Sequence, residues 1–261
     1  MKKIRLIPFF PLLVISLLVA ACSDNSSGVP DEDPPEVPET SPVEVDLSYF
    51  NEADAGTDEE YQAFNTASIY AQTGSAFLFN GLGFGSVYLN MSEGYEPDFD
   101  DGWWVWTYSY QDENGSITIK TTARETSSAY EWKVYLSGTF DGEEDLEEFL
   151  FIDGYTSLDG NSGEWNYYIP DQGSSPSLHY EWNITSETAY ESNSTIRSDD
   201  GEEFNVDYQV DGAENWLEMS SPETEGDIVY LYWNTESGTG YFEQNDERQC
   251  WDQNYQQTSC S

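Results

Sequence analysis

One histidine, His179, limits the acid–base chemistry open to this sequence. A serine or cysteine nucleophile needs a base within hydrogen-bond reach. His179 lies in the run Leu178-His179-Tyr180-Glu181-Trp182, where strand alternation turns it to the face opposite Tyr180 and Trp182. It reads as a water-facing strand position. Paired carboxylates could serve glycoside hydrolysis, but among 51 Asp and Glu residues a pair can be found anywhere and carries no information. Glu131, Glu164 and Glu181 are the least trivial, because each has aromatic neighbours. The same alternation puts each Glu on the face opposite those neighbours, with aromatics inward and carboxylates in water. No catalytic residue is assigned, and a non-enzymatic protein is expected.

Two acidic runs, Asp98-Phe99-Asp100-Asp101 and Asp199-Asp200-Gly201-Glu202-Glu203, have the oxygen ligands that calcium takes. Neither has EF-hand spacing, and hairpin turns favour Asp and Gly in any case. No cofactor or metal is expected, with calcium as the alternative. Cys250 and Cys260 lack both the spacing and the histidine partners of a zinc site. As an even pair in an oxidising compartment they are expected to form a disulfide that pins a polar C-terminus.

These residues must be carried by strands. From Trp103 the pattern takes a period of two: Trp104, Trp106, Tyr108 and Tyr110 alternate with Val105, Thr107 and Ser109. Asn114-Gly115 then turns the chain into Ile117 and Ile119, the signature of a hairpin. The same grammar recurs through 130–140, 148–155, 164–169, 178–186, 190–197, 203–210, 216–220, 228–234 and 240–243, punctuated by Asp-Gly turns. The result is an α+β, mainly β protein: an antiparallel meander of about eleven strands, closing as a barrel or half-barrel, with a sandwich as a further closure.

Ahead of the strands, 57–90 reads as a helical segment. Thr57-Asp58-Glu59-Glu60 resembles a helix start, and Tyr61, Phe64, Ala67, Ser68 and Ala71 follow at helical spacing. The Gly-interrupted run from Phe77 to Gly85 is open between a second helix and a loop. It is not a phosphate loop, since no Lys or Arg accompanies it.

The aromatic stripes Trp104, Trp106, Tyr108, Tyr130, Trp132, Tyr180 and Trp182 could be core alone. In a half-barrel, though, the concave face is filled by a helix or by a ligand, and such walls suit acyl chains. A meander behind a helix is similar in architecture to the half-barrels of outer-membrane lipoprotein carriers and receptors, which carries over no site residue.

The N-terminus supplies an address. Lys2, Lys3 and Arg5 precede an apolar run from Leu6 to Ala21 that is too short to span a bilayer comfortably. Val19-Ala20-Ala21-Cys22 resembles the lipobox of bacterial lipoproteins. That resemblance implies a signal peptide over 1–21, acylation of Cys22, and a membrane anchor that does not span. Ser23 after the cysteine implies passage to the outer membrane, with the side it faces left open. Residues 22–45, with Pro30, Pro34, Pro35, Pro38 and Pro42 among acids, read as a disordered tether, leaving 46–261 as one β-rich domain.

Charge narrows the partners. The 51 acids face eight Lys and Arg, a net charge of −43, and only Lys120, Arg124, Lys133, Arg197 and Arg248 lie beyond the leader. Nucleic acid is excluded, since it needs clustered cations. Nineteen Tyr, 13 Phe and nine Trp exclude a disordered chain. Self-repulsion on this scale implies a saline setting or divalent cations. The expected role is an envelope lipoprotein that binds an apolar or amphipathic ligand. The alternatives are a cell-surface glycan-binding module and a structural lipoprotein without ligand.

Overall fold

The computed structural model describes residues 33–35, 43, 45–51, 53, 55–90, 94–112, 115–139, 146–170, 172–220 and 228–260. The segment expected as a signal peptide, Cys22 and most of the segment expected as a tether lie outside the described residues. A short helix α1 (Ser48–Asn51) and a 3-10 turn (Glu59–Tyr61) lead into α2 (Gln62–Asn90), an unbroken helix of 29 residues. The Gly-interrupted run left open between helix and loop is therefore the second half of one helix.

The strands are β1 (Asp98–Asp100), β2 (Trp103–Asp112), β3 (Gly115–Glu125), β4 (Ala129–Thr139), β5 (Leu146–Ser157), β6 (Ser162–Tyr167) and β7 (Leu178–Ser186). They continue as β8 (Ala189–Arg197), β9 (Glu203–Asp211), β10 (Glu214–Ser220), β11 (Ile228–Asn234), β12 (Thr239–Gln244), β13 (Glu247–Trp251) and β14 (Gln257–Thr258). Each pairs antiparallel with its chain neighbours, in one sheet whose order is the order of the sequence. The expected meander is present and the sheet stays open. Three strands were not anticipated: β1, β13 and β14. The outermost, β1 and β14, are three and two residues long, and Asp98 and Asp100 flank Phe99 in the former. Short, charged edges resist pairing with another chain.

Helix α2 lies across the inner face. Ala63, Ala67, Ala71 and Leu78 are buried along one stripe at helical spacing, with Phe64 beside them. At the N-terminal end Phe64 packs against Trp251 and Tyr255, with ring centroids 5.7 and 4.7 Å apart. Further along, Tyr70 meets Phe242, Phe77 meets Phe204 at 4.3 Å, and Tyr88 meets Phe151 at 4.9 Å. The helix thus runs from β13 back towards β5 and delivers the chain to β2, where the Tyr108 hydroxyl donates to the Tyr88 carbonyl at 2.6 Å. Gly74 permits the close approach: a Cβ there would sit 2.7 Å from Leu217 Cδ2.

Tryptophan opposite glycine recurs on this face. Gly154 lies in register between Trp132 and Trp165, Gly240 between Trp233 and Trp251, and Gly163 opposite Trp182. A Cβ on Gly163 would fall 2.2 Å from the Trp182 ring, and one on Gly240 2.3 Å from that of Trp251. The indoles occupy the space that missing side chains leave, so large rings fit on an inward-curving surface.

The N-terminal segment closes the core. Val43 and Val45 are buried, the Tyr180 hydroxyl donates to the Val43 carbonyl at 3.4 Å, and Trp251 Nε1 donates to the Tyr49 hydroxyl at 2.8 Å. Packed chain therefore begins upstream of residue 46, inside the segment expected as tether. At the other end Cys250 and Cys260 are bridged, with Cα atoms 5.3 Å apart.

Candidate functional site

Because Leu217, Phe242 and Phe204 meet the helix, their strand neighbours Trp216, Glu218, Tyr241, Glu243, Asn205 and Asp207 project from the opposite, outer face. Register aligns these outward side chains into rows. One row passes through Asn183, Glu191, Gln209, Trp216, Tyr232 and Tyr241, from β7 to β12. The next passes through Tyr155, Glu164, Glu181, Asn193, Asp207, Glu218, Tyr230 and Glu243, from β5 to β12.

A groove of about 680 Å³ runs along these rows, walled by Tyr155, Trp216, Tyr230 and Tyr241 and by Glu181, Asn183, Glu191, Asn193, Asp207, Gln209 and Glu218. A second depression of about 530 Å³ shares Tyr155 and Ser162 with it and continues past Glu164, Asn166, Asp153, Lys133 and Glu131. The two extend from β4 to β12, on the order of 38 Å at a strand spacing of about 4.8 Å. In the first row Trp216 and Tyr232 lie 5.7 Å apart, and Tyr232 stacks on Tyr241 at 5.5 Å. The Arg248 guanidinium covers the end of this row, 4.0 Å from the Tyr241 ring centre.

Amides orient several of the carboxylates. Asn193 Nδ2 donates to Asp207 at 2.6 Å, Asn183 Nδ2 to Glu191 at 3.1 Å, and Asn166 Nδ2 to Glu164 at 3.0 Å. Glu218 has no hydrogen-bond donor among the described residues. Two like-charged pairs stand directly opposite each other, Glu164 with Glu181 and Asp207 with Glu218, an arrangement that disfavours the sheet by some tenths of a kcal/mol per pair. Partial burial, and then the charge of Asp207, raise the Glu218 carboxyl above its ordinary range. Glu218 is the main cause that raises the Tyr230 phenol, with partial burial and Glu243 adding. Burial, followed by Glu164 and Glu181, raises that of Tyr155. Both hydroxyls stay protonated at neutral pH and are available as donors.

All five Lys and Arg residues beyond residue 5 are paired with a carboxylate or stacked on an aromatic ring. Lys120 pairs with Glu148 at 3.0 Å, and Arg197 with Glu203. Arg248 pairs with Glu243 at 2.6 Å. Arg124 binds Glu131 and shares the Trp103 ring with Lys133, at 4.4 and 5.3 Å from its centre. Among the described residues none of the five lines the larger groove.

The residues expected to form a ligand wall have another position. Trp104, Trp106, Trp132, Tyr180 and Trp182 are buried in the core, and Tyr108 and Tyr130 are half-buried against it. Among the described residues, helix α2 and the N-terminal segment pack against the inner face where an acyl chain would have lain. His179 is half-buried on the outer face, its Nδ1 donating to Asn166 Oδ1 at 2.9 Å and its Nε2 3.8 Å from Glu181. Glu131, Glu164 and Glu181 project outward beside the two depressions. Of the acidic runs weighed as calcium ligands, Asp98–Asp100 forms edge strand β1, while Asp199 accepts from Gln172 and Asp200 from Ser198. No group of three or more His, Cys, Asp or Glu among the described residues is arranged to hold a metal.

Trp216, Tyr230, Tyr232, Tyr241 and Tyr155 are absent from the residues that sequence reasoning singled out. One signal pointed to two of them, Tyr230 and Tyr232. Ile228-Val229-Tyr230-Leu231-Tyr232-Trp233 does not alternate, and an antiparallel strand that is apolar on both faces needs a reason for its second apolar face. No family model matches this chain, and neither a curated protein nor a solved structure shows significant similarity to it.

Proposed function

We propose that this chain is an envelope lipoprotein, anchored through Cys22, that binds a polysaccharide along the outer face of its sheet. The carrying observation is the elongated groove in which Tyr155, Trp216, Tyr230 and Tyr241 alternate with carboxylate and amide side chains. Flat aromatic rings offer stacking surfaces for the apolar faces of sugar rings. The surrounding Asn, Gln, Asp and Glu supply acceptors and donors for hydroxyl groups. Such a site binds and orients a chain without requiring a nucleophile or a base.

The geometry favours this reading over an apolar ligand, since the aromatic stripes that would have lined an acyl site are core residues packed with α2 and the N-terminal segment. The test is retention of the full chain, purified in mild detergent, on a panel of immobilised neutral, anionic and amino-bearing polysaccharides. Retention by at least one, weakened about tenfold or more by the double substitution Trp216→Ala and Tyr241→Ala, supports the proposal. No retention on any of them, with the protein folded by circular dichroism, sinks it.

A further inference from the structure

We infer that the outer groove selects sugar chains that carry protonated amines, an inference that rests on the polysaccharide reading above and narrows it. Carboxylates alone would define no ligand; here a groove of about 680 Å³ and its aromatic walls define the space, and the charges decide what fits it. Glu181, Glu191, Asp207 and Glu218 line that space, and among the described residues no Lys or Arg does. An anionic polysaccharide entering it would meet four carboxylates, with a cation only at the Tyr241 end, where Arg248 is already paired with Glu243.

A neutral sugar would gain hydrogen bonds yet leave the opposed Asp207 and Glu218 charges uncompensated. An ammonium group between them removes that repulsion and gives Glu218 the donor it lacks. The neighbouring Trp216 and Tyr230 add a second attraction, since both rings border the same space and an ammonium over an aromatic face is drawn to its quadrupole. Aromatic faces together with carboxylates that no Lys or Arg neutralises are the side-chain set that recognises an organic cation, and the length of the groove calls for a chain of linked rings.

The experiment compares two hexasaccharides that differ only at nitrogen: the β-1,4-linked hexamer of glucosamine and its fully N-acetylated counterpart. Affinity for the full chain in mild detergent is measured by calorimetry at mildly acidic pH and at low and high salt. The glucosamine hexamer is expected to bind about tenfold or more tightly than the acetylated one, with a preference that shrinks as salt rises. In the double variant Asp207→Asn and Glu218→Gln the ratio of the two affinities should fall towards one. Equal affinities in the unsubstituted protein overturn the amine selection while leaving the polysaccharide reading standing. Binding of neither hexamer, together with no retention on any polysaccharide, removes both. Tight binding of a lysine oligopeptide without binding of the glucosamine hexamer also overturns the inference, assigning the groove to a basic peptide.

Discussion

Trp132 on β4 and Trp216 on β10 are the same residue on opposite faces of one sheet. Trp132 is 0 % exposed, stacks near Trp106, and donates to Thr156 at 3.4 Å. Trp216 is half-buried, packs against Tyr232 and borders a groove. The inner face spends its aromatic surface on covering a helix, and the outer face keeps part of its own in contact with water. Burial against a partner within the chain is what separates a structural aromatic from one available to a ligand.

The largest expected effect on that contrast comes from truncating the two tryptophans in parallel. Trp132→Ala should cost about 3–5 kcal/mol in urea denaturation, as for other fully buried aromatic side chains, whereas Trp216→Ala should cost less than about 1 kcal/mol, in the range of surface changes. Equal losses would erase the distinction between the faces. Next in size is Gly163→Ala. The added methyl collides with the Trp182 ring and with the Tyr155 carbonyl at 2.7 Å, so a loss of about 2–3 kcal/mol is expected from overpacking. A neutral result would show that the tryptophan–glycine register does not shape the inner face.

Replacing Cys250 and Cys260 by Ser should remove about 2–3 kcal/mol, given the sequence separation of 10 residues. Amide exchange should rise first in β13 and β14, with the strands of the groove protected longer.

The smallest effect is expected at Glu218. Its carboxyl is raised in the folded state above the ordinary 4.5. The stability linked to this group is therefore fully present below the unfolded value and is lost as pH climbs through the folded one. Glu218→Gln should accordingly stabilise at neutral pH, by less than about 1 kcal/mol because solvent screens a half-exposed group. The two thermal midpoints should converge below about pH 4. A variant less stable than the parent at neutral pH would mean that an unseen donor satisfies this carboxylate.

The inner face was largely legible. Alternation of Trp and Tyr with polar residues located β2 to β12, because burial of one face imposes a period of two. β13 escaped notice because Glu247-Arg248-Gln249-Cys250-Trp251 contains no alternating run; Trp251 and the disulfide hold it from elsewhere in the molecule. The second half of α2 was ambiguous because glycine disfavours a helix by about 1 kcal/mol locally, and contacts such as Tyr88 with Phe151 come from residues distant in sequence. The groove was the least legible part. Trp216, Tyr232 and Tyr241 are consecutive in space but come from three strands, and only register brings them into line.

The sheet order carries a mechanical consequence. Strands that pair only with their sequence neighbours can be peeled one after another from an end, each step breaking a single ladder, whereas strands clamped between distant segments must be sheared together. Tension drawn through the C-terminus would meet the covalent link at Cys250 before it reached β12, and then the hold of Trp251 on Tyr49. Tension from the N-terminal side would first draw on Val43 and Val45, which lie under the body of the sheet. The easy unzipping inherent in a meander is thus guarded at both ends.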